Sequence, residues 1–242
     1  MSNHAVGPLQ PVATDQSEGL YVYSAVLDVL GYRTRLGKDR KSGRADFKTD
    51  LQKALSALSE INDAECRHEA ISDTIFLTWP NQQSFVTFLK LNKKLFVSFL
   101  KNGLFLRGGI TYSRHFRSGN VTYSFAIATA YELESKRAIH PRIVIDENII
   151  ETFRGSDGAL DYQGLADSGL ITKANGTYFL HVIDKDNWND LYNAAAELFK
   201  QDSCDLVNDE KAYAKHVWFE NYLFQFSPNR HKKRYIPKAT LL

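Results

Sequence analysis

The chain has 242 residues, 43% of them hydrophobic, which is enough for one large domain or two small ones with a proper core. Its net charge of +2 comes from one stretch, Asn229 to Arg234 (NRHKKR), which holds four positive residues; without them the remainder stands at −2, and that composition excludes a nucleic-acid-binding surface over the body of the chain. The two cysteines, Cys66 and Cys204, form no CxxC pair, which argues against a disulfide framework or structural zinc, and no apolar run approaches ~18 residues; the expectation is a cytoplasmic protein with no membrane or nucleic-acid partner.

Residues 1–18 are polar, contain two prolines and show no periodicity, so they read as a flexible N-terminal arm. LYVYSAVLDVL, residues 20–30, is a strand rich in Val, Tyr and Leu that ends at Gly31, where the chain turns toward a helix. Over 46–62, Leu51, Leu55, Leu58 and Ile61 recur at spacings of three and four, the stripe of an amphipathic helix. Residues 65–79 read as a hairpin folding back at Ser72-Asp73, and 83–101 as a helix stopped by Gly103. LFLRGGITYS, 104–113, is a strand; 125–137 is a helix; RIVID, 142–146, is a short strand behind Pro141. GLITK and TYFLHVI flank Asn175-Gly176, a strong hairpin signal, and two last helices are expected over 187–199 and 209–224. The order predicts a single α+β domain over 19–228, with helices covering an antiparallel-rich central sheet, followed by a basic C-terminal tail over 229–242.

Asp28 is the anomaly in this pattern, because a lone carboxylate in a buried strand must be neutralised, hydrogen-bonded or bound to a cation. If the 65–79 hairpin flanks the first strand, Asp28 and Asp73 lie side by side at one end of the sheet. Two readings stand. Asp73 is a turn residue and Asp28 a capping or salt-bridged residue at a strand end; or the pair holds Mg²⁺ or Mn²⁺, hard cations that suit oxygen ligands, with triphosphate oxygens completing the shell. The backbone of Val29, Leu30, Gly31 and Tyr32 then offers N–H groups to phosphate, with Gly31 permitting close approach.

Four segments, AVLDVLGY, ISDTIFL, LRGGITYS and FAIATAYELESKRAIHPRIVID, occur in the order and spacing that resemble the class III nucleotide cyclases, most closely the bacterial Pycsar pyrimidine cyclases. The resemblance spans residues 21–146, and the LITKANGTYFLHVI hairpin looks like the cyclases' C-terminal one. It implies a ferredoxin-like (palm) core and a homodimer with active sites at the subunit interface. It further implies two Mn²⁺ or Mg²⁺ ions held by Asp28, Asp73 and the Val29 carbonyl, with phosphate bound by Leu30, Gly31 and Tyr32. Lys173 is either a further phosphate contact or an exposed hairpin lysine.

The chain also departs from that family. Ala128 stands where an Asn orients ribose, and Glu132 where an Arg stabilises the α-phosphate; Arg114, Arg117, Lys136, Arg137 and Arg142 are the candidate substitutes, each also readable as a surface charge. Glu69 and Val121-Thr122 occupy the neighbourhoods of the purine-reading groups, which disfavours ATP and GTP and favours UTP or CTP, with Tyr32 or Tyr123 available to contact the base. The implied product is cyclic UMP or CMP, a second messenger in antiphage defence read by a separate effector protein. Alternatives are a non-catalytic cyclase-fold nucleotide-binding protein and a purine cyclase. His68, His115, His140 and His181 show no ligand spacing, and Gly108-Gly109 reads as close packing under a helix rather than a phosphate loop.

Overall fold

The computed structural model describes residues 20–59, 61, 66–79, 85–118, 121–153, 165, 168–228 and 231–237. The expected N-terminal arm lies outside them. In chain order the elements are β1 (Leu20–Val29), α1 (Tyr32–Ser42), α2 (Asp46–Leu55), β2 (Arg67–Ile71), β3 (Thr74–Trp79), α3 (Phe85–Lys101), β4 (Leu106–Ser118), β5 (Val121–Ser124), α4 (Phe125–Arg137), β6 (Ile143–Ile145), α5 (Glu147–Thr152), β7 (Ile171–Ala174), β8 (Thr177–Leu180), α6 (Trp188–Leu206) and α7 (Glu210–Gln225).

Among the described residues one sheet runs β2-β3-β1-β4-β6-β8-β7, with β5 pairing the far end of β4. Every pairing is antiparallel except β4 with β6. The first four strands, with their helices, make a β-α-β-β-α-β unit in the order β2-β3-β1-β4, the ferredoxin-like arrangement expected from the sequence. The fold is α+β, with helices on an antiparallel-rich sheet.

β1 is central and buried on both faces, which explains its unbroken apolar run. One face carries α3, whose Phe88, Leu89, Phe96 and Phe99 are buried in the main core, together with Trp188 and Leu191 of α6. On the other face α4 sits directly on Gly109: a Cβ there would lie 2.4 Å from the Ala130 carbonyl oxygen and 2.7 Å from Leu133 Cβ. Gly108 meets β1 instead, where a Cβ would fall 2.5 Å from Leu27 Cδ2. The glycine pair therefore serves packing, by helix at one residue and by strand at the other.

Several boundaries differ from the sequence reading for identifiable reasons. α1 buries no residue, so it carries no apolar stripe for periodicity to reveal. The 46–62 helix breaks after Leu55 into a short 3-10 turn. β4 runs on to Ser118 through polar residues because β5, unforeseen in the sequence, pairs it there, outside the core. α5 is a six-residue helix started by Asp146, whose side chain accepts from the Asn148 amide. α6 continues past Phe199 until Leu206 is buried. The described part of the basic tail is not a free end: the Glu220 carboxylate accepts from the Tyr235 and Ile236 amides at 2.7 and 2.9 Å and pairs with Arg234 at 2.9 Å.

Candidate active site at one end of the sheet

Asp28 is the penultimate residue of β1, opposite Thr74 of β3 and Arg107 of β4. Asp73 occupies the two-residue β2–β3 turn, in which Ser72 takes φ +60, the sign required at the first position of a type II′ turn. The Val29 amide donates to the Asp73 carbonyl at 3.0 Å, which continues the β1–β3 ladder onto the hairpin tip. Asp28 and Asp73 thus meet at one end of the sheet, as the hairpin argument required.

Asp28 is not alone there. Its Oδ2 accepts from Arg107 Nε at 2.8 Å, and Arg107 Nη2 lies 2.7 Å from Oε1 of Glu134, a residue of α4 that is only 4% exposed. The latter is a charge contact whose angle falls outside that of a hydrogen bond. Burial pushes the Glu134 carboxyl above its usual range; Arg107 opposes this, while Asp28 and Asp73 add to it. Two carboxylates, those of Asp28 and Glu134, therefore share one guanidinium, and Asp73 adds to the negative charge acting on Glu134. Neither Asp28 Oδ1 nor the Asp73 carboxylate has a hydrogen-bond partner among the described residues. No group of three or more His, Cys, Asp or Glu side chains among the described residues is arranged to hold a metal.

The turn after β1 supplies the next layer. The Leu30 amide is committed to the Phe105 carbonyl at 2.9 Å, which leaves Gly31 and Tyr32 of the expected phosphate donors. Gly31 has φ +80 and precedes α1, whose N-terminus has no side-chain cap and no acid in its first turn, a favourable setting for an anion. A Cβ on Gly31 would meet nothing within 4 Å, so the glycine answers to backbone conformation rather than to space. Tyr32 packs edge-on against Phe47 and its hydroxyl lies 3.3 Å from Ser72 Oγ, tying this turn to the hairpin that carries Asp73.

Lys173 is not brought to this site within one chain. It lies on β7, with β4, β6 and β8 between it and β1, and its ammonium donates to the Tyr178 hydroxyl at 3.0 Å. The other candidate cations are similarly occupied. Arg114 packs on Tyr21, Lys136 pairs with Glu132, Arg137 donates to Thr177, and Arg142 lies over Phe179 and Trp218. Arg117 instead lines an open groove of about 680 Å³ beside the sheet, together with Glu69, Thr78, His115, Thr122 and Ala128. Glu69 and Thr122, distant in sequence, share this groove. Three of the histidines are structural: His115 bonds Ser124, His140 stacks on Trp218, and His181 bonds the Tyr222 hydroxyl.

Sequence reasoning missed Arg107 and Glu134. The signal was an arginine in a strand that pairs with Asp28, followed by glycines demanding a close helix.

No protein-family model matches the chain, and no curated protein matches it. Among solved structures it is similar to the guanylyl cyclase Cya2, with 9% identity and TM-score 0.41 over 68% of this chain and 93% of that one. It is similar to the guanylyl cyclase domain of the RhoGC fusion protein from the aquatic fungus Blastocladiella emersonii, with 12% identity and TM-score 0.41 over 67% and 95%. A bacterial light-regulated adenylyl cyclase aligns at 10% identity and TM-score 0.43 over 57% of this chain and 46% of its own.

Proposed function

We propose that this chain is a divalent-metal-dependent nucleotide cyclase that converts UTP or CTP to the 3′,5′-cyclic monophosphate and pyrophosphate. The ribose 3′-oxygen forms a bond to the α-phosphorus, the α–β bridging bond breaks, and the hydroxyl proton passes to solvent. The observation that carries the reading is the meeting of Asp28 and Asp73, joined through the Val29–Asp73 backbone bond, beside the uncapped start of α1.

Asp28, Asp73 and the Val29 carbonyl would hold Mg²⁺ or Mn²⁺. Such an ion supplies Lewis acidity to the 3′-hydroxyl and charge compensation to the departing pyrophosphate. The Gly31 and Tyr32 amides bind phosphate oxygens. The groove lined by Glu69 and Thr122 receives the base; its volume falls within the ~300–1,000 Å³ usual for small-molecule sites. Beside it, β5 and α4 expose Val121 (68%), Tyr123 (61%), Phe125 and Tyr131, an apolar patch that suits the homodimer implied by the resemblance. By the same resemblance the cyclic pyrimidine nucleotide is a second messenger for an antiphage effector.

The test is metal-dependent pyrophosphate release from UTP and CTP. Asp28→Ala and Asp73→Ala should each abolish it, and retention of the full rate in either variant would sink the carboxylate assignment.

A second reading, nucleotide binding without catalysis, is favoured by Arg107, which already neutralises Asp28, and by Glu132 at the position of the family's arginine. Calorimetric binding of UTP with no pyrophosphate released at any metal concentration would select it.

A further inference from the structure

Arg107 serves two carboxylates from one guanidinium, and it serves them unequally. Its Nε makes a hydrogen bond to Asp28 Oδ2 at 2.8 Å, whereas its Nη2 meets Glu134 Oε1 at 2.7 Å without the angle of a hydrogen bond. Glu134 Oε1 is therefore a buried acceptor with no hydrogen-bond partner among the described residues, beside a donor already in contact with it. An unsatisfied oxygen costs more inside the protein than at its surface, so this geometry satisfies Asp28 at the expense of Glu134.

The two acids differ in what else can serve them. The Asp28 side chain keeps 19% of its surface exposed and lies beside the hairpin tip, open to another cation. The Glu134 side chain keeps 5%, and among the described residues it pairs with no cation but Arg107. Nor can Glu134 move to improve that contact: α4 already rests on Gly109, where a Cβ would lie 3.0 Å from the Glu134 amide nitrogen. The Arg107 side chain, 25% exposed, is the part with room to turn. On its other side stands Lys215 of α7, half-buried and in the field of Arg107 and Asp28, whose like charge disfavours a turn in that direction.

We propose that Arg107 is a counter-ion with two seats, and that Glu134 is the residue that positions it. While Asp28 holds no other cation, the guanidinium sits on Asp28. When Asp28 takes a divalent cation, the guanidinium turns fully onto Glu134 and completes the hydrogen bond that Oε1 lacks. Glu134 thereby sets how readily Asp28 gives up its arginine, and so regulates the entry of the cation from a position that never touches it. The cation half of this exchange rests on the Asp28 and Asp73 assignment proposed above; the competition of two carboxylates for one guanidinium stands on the geometry alone.

The test reads the arginine itself, in the full chain without nucleotide. The Arg107 Nε–H signal in the NMR spectrum of isotope-labelled protein, assigned by its loss in Arg107→Lys, should shift when Mg²⁺ is added. In Asp28→Ala it should stand at the shifted position before any Mg²⁺ is present and stay there. Mn²⁺ binding, followed by electron paramagnetic resonance of the free ion, supplies the second readout. Glu134→Gln, which removes the second seat, should bind Mn²⁺ about fivefold or more weakly than wild type. Arg107→Gln combined with Glu134→Gln, which removes the competitor as well, should bind at least as tightly as wild type. A Glu134 that only held α4 in place would weaken both variants alike or neither. Thermal melting checks that each variant folds, and the wild-type NMR titration stays decisive if one melts early. An Nε–H signal that Mg²⁺ leaves unmoved, no Mn²⁺ binding by wild type, or wild-type affinity in Glu134→Gln overturns the proposal. If the signal moves but no triphosphate is cyclised, the exchange stands and the cyclase reading falls. If cyclic product forms while the signal stays unmoved, the reading stands and the exchange falls.

Discussion

Arg107 Nε donates to Asp28 Oδ2 at 2.8 Å across the β1–β4 pair, and this contact lets a carboxylate sit in the central strand. The same guanidinium serves Glu134, which has far less access to water than Asp28. Arg107 is therefore the hinge of the site's electrostatics: it neutralises what a metal would otherwise have to neutralise, and holds α4 to the sheet end.

Arg107→Leu should destabilise the fold by about 3–5 kcal/mol, because it leaves the buried Glu134 carboxylate without its cation. Arg107→Leu combined with Glu134→Leu should recover a substantial part of that loss, since the uncompensated charge goes with its partner. Urea denaturation of the two single variants and the double variant checks this; strictly additive losses would contradict it.

Gly109→Ala should cost about 1–3 kcal/mol or more, because the new methyl overlaps the α4 backbone at Ala130 and no flexible side-chain end can yield there. Gly31→Ala has open space and pays only for its left-handed φ, about 1–2 kcal/mol. Melting temperatures should rank the two variants in that order.

His115, His140 and His181 have pKa values lowered chiefly by burial, with Arg117 and Arg67, Arg142 and Lys215, and Lys93 adding to the effect respectively. The unfolded chain then binds more protons than the native one in the window below the unfolded value of ~6.5, so stability is full above that pH and falls as the pH drops toward the lowered native values. Denaturation midpoints should decline between pH 7.5 and 5.5, and His140→Gln should show a shallower decline than wild type.

Phe125→Glu should convert the proposed dimer to a monomer, because it places a charge within the exposed patch formed with Val121, Tyr123 and Tyr131. Sedimentation velocity reads the change, and a variant sedimenting like a dimeric wild type would remove this patch from the interface.

Much of this was legible because the core elements repeat a burial pattern. The stripe of α3, the apolar run of β1 and the Asn175-Gly176 turn, with φ +48 and +70, each follow from local chemistry. α4 lies at its expected bounds despite a weak stripe, and the structure shows Ser124 capping it by accepting from the Ile127 amide. The pairing of Asp28 with the hairpin tip followed from compactness alone. What stayed hidden depends on tertiary contact: α1 and β5 bury little, and α6 runs on with its polar residues in solvent. Arg107, Glu134 and Lys215 come from three separated segments, and no spacing rule links residues that only the register of β4, the seating of α4 and the return of α7 bring together.

The most direct measurement is incubation of the purified chain with Mn²⁺ and each of ATP, GTP, CTP and UTP in separate reactions, with products identified by mass spectrometry. The expected result is a 3′,5′-cyclic pyrimidine monophosphate from UTP or CTP, lost in Asp28→Ala and Asp73→Ala. Cyclic product from ATP or GTP alone would contradict the pyrimidine assignment, and no cyclic product from any of the four would contradict the cyclase itself.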